Sequence, residues 1–230
     1  MTLTPDTIVA FRAFGVSVNA TIVFTWVVMA LLAAGSWAAT RGLRRDRPPL
    51  VATAVEALVG FVLEQIRDVT EQDPEPYLPF VGTLFTFILA SNLLAVVPGF
   101  EPPTGSLSTT AALALCVFFA VPGFGIARLG PLGYLRTYLR PTPLMLPFKV
   151  IGELSRTLAL AVRLFGNVMS GTVIAAILLG VAPLFFPAVL QAFSLLVGAI
   201  HAYIFAILAI VYIASGTRVQ GEREEKGASA

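Results

Sequence analysis

The sequence has 230 residues, of which 57% are hydrophobic and only 12% are charged. Soluble domains carry about 25% charged residues, so this composition excludes an ordinary soluble protein and indicates an integral membrane protein. Long apolar runs without period-2 alternation exclude an outer-membrane β-barrel. The single cysteine, Cys116, excludes a disulfide framework and a cysteine-based metal site.

The first two-thirds of the chain contains three predicted membrane spans and one surface helix. Residues 18–40 form the first predicted span. Residues 50–72 mix apolar and charged side chains, which predicts an amphipathic helix on the cytoplasmic surface. The second and third spans are predicted over residues 79–97 and 108–127, with a kink at Pro122 and Gly123.

The last third of the chain predicts a hairpin of two unusually long helices. Residues 144–179 carry a continuous helical signal. A helix of that length measures ~54 Å, so a single crossing of a ~30 Å core needs a tilt of roughly 56°. The helix therefore either breaks near Gly166 or Gly171 or lies steeply inclined. Residues 180–187 form the predicted turn, and residues 188–215 form the second long helix.

The distribution of basic residues predicts how the chain is oriented in the membrane. The connection 41–72 holds five Lys and Arg residues, the connection 128–149 holds four, and the tail after residue 216 holds three. Basic connections favour the cytoplasmic side. Five crossings then place the N-terminus outside and the C-terminus in the cytoplasm. No internal repeat is visible, so residues 1–230 are predicted to form a single membrane domain, with the inclined hairpin at 144–215.

Arg163 is the residue with the strongest functional signal, because it lies inside an apolar run. A guanidinium stays protonated in proteins, and holding one at membrane depth costs roughly 2.5–3.5 kcal/mol on insertion scales. With Lys149, Glu153, Arg156 and Asn167 it forms a polar stripe on one helix face. Glu153 and Arg156 are near enough to pair, but Arg163 has no such neighbour and is expected to meet a carboxylate on another chain. Interfacial charges that reach for headgroups are the alternative for Lys149 and Arg156.

Small residues lie beside this polar stripe. Ser155 and Ala159 are spaced by four residues, as are Gly166 and Ser170. Such spacing allows helices to approach closely. The pattern is compatible with plain packing, but next to an arginine without a partner it suggests a flat surface for another helix.

The last helix has a polar stripe of its own, formed by Gln191, Ser194, Gly198 and His201. His201 is the only histidine, and histidine is the side chain that titrates near neutral pH. Both a structural role and a role in ion transfer are compatible with this position.

Other classes of membrane protein fit the sequence less well. The chain has no phosphate-binding loop, dinucleotide fingerprint or nucleophile elbow, so no ATP chemistry is predicted within it. An independent secondary transporter or ion channel is the main alternative, although the internal repeats that many transporters show are missing.

Several motifs resemble one known family, the subunit a of F-type ATP synthases. The most specific motif is Arg163-Leu164-Phe165-Gly166-Asn167, and the resemblance extends from about residue 50 to residue 215. The remaining motifs are Ser91-Asn92-Leu93-Leu94 before Val97-Pro98-Gly99, Pro103-Thr104 followed by residues 108–115, and residues 202–213.

The resemblance implies an all-α membrane stator subunit beside a rotating ring of c subunits. Two offset aqueous half-channels would let an ion reach a c-subunit carboxylate and leave on the other side. Arg163 would be the family's indispensable arginine, Asn167 its conserved asparagine, and His201 would occupy the position of a polar glutamine. The implied partners are the c ring, b-type peripheral stalk subunits and other ATP synthase subunits. The compact size and the Arg/Ala-rich composition predict a bacterial inner membrane, with a plastid origin as the alternative. Neither a cofactor, a metal nor a nucleic acid is expected.

The chain departs from the common family pattern around the half-channels. Thr157 stands where the family usually has a proline two residues after Ser155. Lys149 replaces a usual carboxylate, and Thr172 and Ser194 replace the polar pair on the two arms. These features resemble the divergent N-type branch, which is thought to include sodium-translocating members, and they leave the choice between H⁺ and Na⁺ open.

Glu153 and His201 are therefore expected to take over part of the polar lining. The predicted site is Arg163 together with an ion pathway along both arms: Asn167, His201, Glu153, Arg156, Thr172, Ser194 and Gln191.

Overall fold

A computed structural model of the chain describes residues 9–13, 16–42, 50–71, 73–97, 99–139, 144, 146–181 and 186–218. Within this part, two short antiparallel strands, β1 (Val9–Ala13) and β2 (Val16–Asn19), precede the helices. Two 3-10 turns, Leu94–Val96 and Pro103–Gly105, connect the third helix to the fourth. The α-helices are α1 (Ala20–Gly42), α2 (Leu50–Thr70), α3 (Leu78–Leu93), α4 (Leu107–Leu139), α5 (Leu146–Val181) and α6 (Phe186–Arg218).

The predicted all-α integral membrane fold is confirmed. In the described residues, four helices are long and apolar enough to cross a membrane, namely α1, α3, α4 and α6. Helix α5 carries its charged residues in its first half, and the side chains at 172, 175, 176 and 178–181 in its second half lie outside the described residues. A fifth crossing through α5, and the inclination of the hairpin, stay predictions.

Helix α4 changes direction later than the sequence suggests. Helix α4 continues through Pro122. Its non-helical backbone angles lie at Gly130, with φ 69° and ψ 164°. This combination of angles is accessible essentially to glycine alone, and the following Pro131 disfavours the helical conformation at Gly130 as well. The two residues together therefore set the bend, beyond the predicted end of the span at residue 127.

Helix α5 is one unbroken α-helix from Leu146 to Val181. Of the two predicted alternatives, a break near Gly166 or Gly171 is therefore wrong. A continuous helix of this length extends ~54 Å. The predicted turn 180–187 includes residues 182–185, which lie outside the described residues.

The orientation in the membrane also stays a prediction. Half of the basic residues that indicate it lie outside the described part of the chain, namely Arg44, Arg45, Arg47, Arg140, Arg223 and Lys226.

Helices α3 and α6 run antiparallel and form much of the buried core. Near the start of α3, Val81 lines a crevice together with Ile210 of α6. Near the end of α3, Asn92 contacts Gly198, twelve residues earlier in α6 than Ile210. The residues of α6 that follow Gly198 on this seam are small, and Ala202 and Ala206 are both buried. Small residues at four-residue spacing let two backbones approach closely.

We expect Gly198→Ala to destabilise the protein. A Cβ at this position would lie 2.8 Å from Cβ of Asn92, which belongs to the backbone-proximal part of its side chain and has little freedom to move. Overpacking of this kind typically costs about 1–3 kcal/mol. The free energy of unfolding of the purified protein in bicelles measures the effect.

The matched control is Gly35→Ala in α1, where a Cβ would meet no atom within 4 Å. This change should be neutral or slightly stabilising, because alanine favours a helix over glycine by roughly 1 kcal/mol. Equal stabilities of the two variants would contradict the close α3–α6 approach.

Candidate functional site

Arg163 lies on an exposed side of α5. The same helix buries Leu160, Ala161 and Leu164 against the rest of the protein. Among the residues that the structure describes, none forms a hydrogen bond or an ion pair with the Arg163 guanidinium. A guanidinium presents five N–H donors and no acceptor, so the described part of this chain leaves it free to bind an acidic group from outside.

Three other residues of the polar stripe are closer to the protein interior than Arg163, whereas Arg156 is exposed. Lys149, Glu153 and Asn167 are all half-buried. The backbone carbonyl of Asn167 accepts a hydrogen bond from the Ser170 hydroxyl at 2.9 Å. The stripe predicted from the spacing thus runs along the flank of the helix, between its buried and its exposed sides.

Thr157 occupies the position at which the resemblance predicted a departure from the family pattern. Its hydroxyl donates to the backbone carbonyl of Glu153 at 2.9 Å. A proline here would have removed a helical N–H donor and favoured a kink. Threonine instead keeps the helix continuous at this point, two turns before Arg163.

Arg156 contacts the second arm of the hairpin. Its guanidinium carbon lies 5.6 Å from the ring centroid of Tyr212 in α6. This distance is within the range of a cation–π interaction. The contact connects α5 to α6 on the same flank of α5 that carries Arg163.

The small residues predicted to form a docking surface are all solvent-exposed in the described chain. We call Ser155, Ala159, Gly166 and Ser170 the small-residue face. A Cβ at Gly166 would meet no atom within 4 Å, so another helix can approach there without displacing a side chain of this chain. Apolar side chains border the face, and Leu158 is 65% exposed.

Two residues of the polar stripe of α6 face different elements, one the connection after α3 and the other α5. The Gln191 side chain donates from Nε2 to the carbonyl of Ala95 at 2.9 Å, so it binds the 3-10 turn after α3. The Ser194 side chain is exposed, and its Oγ would lie 3.8 Å from a Cβ at Gly171, so it faces α5.

His201 is half-buried and bonds to its own helix. Its Nδ1 lies 2.9 Å from the carbonyl oxygen of Val197. A carbonyl can only accept a hydrogen bond, so Nδ1 must carry the proton in this arrangement, and Nε2 is left to exchange one. The geometry therefore leaves one ring nitrogen available for ion transfer.

Two polar contacts that connect distant helices were not predicted from the sequence. The Asn92 side chain donates from Nδ2 to the carbonyl of Gly198 at 2.9 Å, while its Oδ1 accepts from the Thr104 hydroxyl at 2.8 Å. The Tyr203 hydroxyl donates to Oε1 of Gln65 in α2 at 2.7 Å. The available signal was the presence of amide side chains in largely apolar helices, where polar groups are expensive unless they have partners.

Two further predictions, the role of Thr172 and the absence of a metal site, involve residues outside the described part of the structure. Thr172 belongs to α5, but its side chain lies outside the described part of the structure. Within that part, no group of three His, Cys, Asp or Glu residues could hold a metal ion.

Comparison with known proteins identifies the family. The family described as ATP synthase A chain matches residues 22–214. The ATP synthase subunit a 2 of Picosynechococcus is 55% identical over 225 residues, with 97% of each chain covered. The ATP synthase subunit a of Albidiferax ferrireducens is 53% identical over 231 residues, with 99% of each chain covered. The chain belongs to the ATP synthase subunit a family.

Membership of the subunit a family confirms the predicted general function. The chain is an ion-translocating stator subunit of the F0 sector and a multi-pass bacterial membrane protein. A third relative, the ATP synthase subunit a 1 of Chlorobaculum parvum, is 55% identical over 224 residues, with 96% of this chain and 98% of the relative covered. The roles of individual residues of this subunit a, and the resemblance to the N-type branch, stay predictions.

In this subunit a, we expect the Arg156–Tyr212 contact to be measurable as a coupling energy. Cation–π pairs at exposed sites contribute about 0.5–1 kcal/mol. Arg156→Ala, Tyr212→Leu and the double variant form a cycle in which unfolding free energies in bicelles give the pairwise value.

The control is Tyr212→Phe, which keeps the aromatic ring and should keep most of the coupling to Arg156. A coupling energy indistinguishable from zero would show that the two side chains are neighbours without attraction.

Proposed function

We propose that Arg163 is the group through which this subunit discharges the ion-carrying carboxylate of a rotating c ring. The proposal rests on one observation. Arg163 is exposed beside the small-residue face, and none of the described residues neutralises it. A permanent positive charge in an apolar helix needs an acidic partner, and the other ATP synthase subunits are where that partner would be found.

The electrostatic effect of Arg163 has the required sign and size. A cation within about 4–6 Å of a carboxylate stabilises the charged form and lowers its pKa by about 1–3 units. Two unit charges 4 Å apart attract by about 4 kcal/mol at an effective dielectric constant of 20. This exceeds the roughly 2.5–3.5 kcal/mol that holding an arginine at membrane depth costs on insertion scales. A rotor carboxylate that arrives at Arg163 would thus release its ion.

Arg163 would also keep the two half-channels separate. A guanidinium does not give up its proton at any physiological pH, so it cannot relay a proton between them. Its charge repels a bare cation that tries to cross without using the rotor. The same residue would therefore both discharge the carboxylate and prevent a leak.

The small-residue face is the proposed contact surface for the c ring. Gly166 and Ala159 present little side chain, which would allow a rotor helix to pass close to the α5 backbone. Exposed apolar neighbours such as Leu158 and Val162 would contact its apolar flanks. We further propose that b-type peripheral stalk subunits hold the stator, with the N-terminus of this subunit outside and its C-terminus in the cytoplasm.

Polar side chains of both arms are proposed to line the half-channels. Asn167 lies one turn from Arg163 and is half-buried, as are Glu153 and His201. With Arg156, Thr172 and Ser194 they would provide a hydrated route in place of the usual acidic residues. Glu153 and His201 would have the largest part, because each can carry a charge.

Replacement of Arg163 tests the central proposal. In the assembled ATP synthase, Arg163→Ala should reduce ATP-driven ion pumping at least about a hundredfold, since each 1.4 kcal/mol lost from a transition state is tenfold in rate. Arg163→Lys keeps the charge but not the planar fork, so partial activity is expected. Pumping is measured by an ion-sensitive dye in inverted membrane vesicles.

Arg41→Gln is the control for loss of an arginine, because Arg41 is exposed at the end of α1 beside Trp37. It should leave pumping unchanged. An Arg163→Ala enzyme that pumps within twofold of the wild-type rate would refute the proposed role.

A double replacement tests the lining. Glu153→Leu combined with His201→Leu should lower ATP-driven pumping by more than either single change, because both removals leave the route less polar. A matched apolar control is Leu154→Ala with Leu196→Ala, two exposed positions on the same helices. Unchanged pumping in the Glu153/His201 double variant would mean that other groups line the route.

A further inference from the structure

Two hydrogen bonds connect α6 to the end of α3 and to the connection that follows it, and a third holds the side chain that makes one of them. The Asn92 Nδ2 group donates to the Gly198 carbonyl at 2.9 Å. The Thr104 hydroxyl, in the second 3-10 turn, donates to Oδ1 of Asn92 at 2.8 Å. The Gln191 Nε2 group donates to the Ala95 carbonyl at 2.9 Å. We call Asn92, Thr104, Gln191 and Gly198 the polar clasp.

Because two residues of the clasp are buried, breaking their hydrogen bonds is costly. Asn92 is only 6% exposed and Thr104 is fully buried. A buried amide that loses its partner remains unsatisfied, because no water replaces the lost hydrogen bond in a packed apolar seam. A displacement of α6 that breaks these bonds is therefore disfavoured, whereas apolar contacts alone tolerate small displacements.

The clasp holds α6 at two points on the same side. Gln191 and Gly198 are seven residues apart, which is two turns of helix. Two anchors on one side fix the rotation of the helix about its axis. The absence of a side chain at Gly198 fixes the distance between helices, since a Cβ there would lie 2.8 Å from Cβ of Asn92.

The rotation of α6 determines where its functional side chains point. Ser194 lies between the two anchors in sequence, and His201 follows Gly198 by three residues. We propose that Asn92, Thr104 and Gln191 are positioning residues, whose bonds orient Ser194 and His201 toward the ion pathway along α5. This inference rests on the function proposed above. It assigns Gln191 to holding α6 in place, since its amide already donates to Ala95.

The clasp is not required for helix association as such. The buried residues Ile88, Ala202, Ala209, Ile210 and Ile213 supply an apolar seam that is independent of the clasp. Loss of a clasp bond should therefore leave α3 and α6 packed together while it frees α6 to rotate. The expected phenotype is an assembled complex with impaired ion transport.

The test uses the assembled ATP synthase with Thr104→Val, which has nearly the same shape but no hydroxyl donor. The Asn92 amide then loses the bond that orients its Nδ2 group toward the Gly198 carbonyl. ATP-driven pumping should fall about two- to tenfold, the fold equivalent of one lost neutral hydrogen bond. Thr104→Ser restores the donor and should pump at the wild-type rate. Equal amounts of subunit a should co-purify with the complex in all three cases.

A second measurement reports rotation without reference to ion transport. Single cysteines replace Ser194 or Leu196, exposed residues that point in different directions from α6, in a Cys116→Ala background. The ratio of their labelling rates by a membrane-permeant maleimide should change in Thr104→Val and stay unchanged in Thr104→Ser.

The outcomes separate this inference from the proposed function. An unchanged labelling ratio, or wild-type pumping by Thr104→Val, would overturn the positioning role of the clasp. Wild-type pumping by Arg163→Ala would instead overturn the proposed function, and it would leave the labelling result intact.

Discussion

The constraint on which the structure depends is a permanent positive charge in the apolar helix α5. The guanidinium of Arg163 keeps its proton in any protein environment, and none of the residues described in the structure pairs with it. A permanent charge in an apolar helix needs an acidic partner, and the proposed function places that acid on another subunit. The exposed position of Arg163 and the small residues beside it are compatible with that demand, as is membership of the subunit a family.

A charge that acts on a passing partner has to be held in a fixed place. Electrostatic stabilisation is effective when the protein dipoles and charges are preorganised. Helix α5 buries Leu160 and Leu164 against its neighbours, and α6 is packed along α3 by small residues. Hydrogen bonds from Asn92 and Gln191 connect α6 to the end of α3 and to the turn that follows it. The apolar core thus holds the helices together, and the polar contacts set the position of α6 relative to α3.

The sequence alone predicted the features that depend on local pattern. Hydropathy indicated the membrane class, and the 3.6-residue period identified the stripe that contains Arg163. The bend in α4 was predicted near Pro122 but lies at Gly130, because a proline can be accommodated within a membrane helix whereas the observed backbone angles require glycine. The pair Gly130 and Pro131 is a local signal for this bend, because the proline disfavours the helical conformation at the preceding glycine.

Contacts between distant segments were beyond a reading of the sequence. Asn92 and Gly198 are 106 residues apart, and only the antiparallel packing of α3 on α6 brings them together. Gln191 was assigned to the ion pathway from its position on the helix face, but its partner at Ala95 lies 96 residues away. The residue types were informative, since polar groups in apolar helices need partners, but the identity of each partner depended on the tertiary fold.

The continuity of α5 has a mechanical consequence. Because no break interrupts Leu146–Val181, the backbone of this helix has no flexible joint along its length. A sideways pull at Arg163 is then shared along its whole length instead of being absorbed at a flexible joint. For the role proposed for Arg163, this continuity would keep the guanidinium at a constant position under a lateral load.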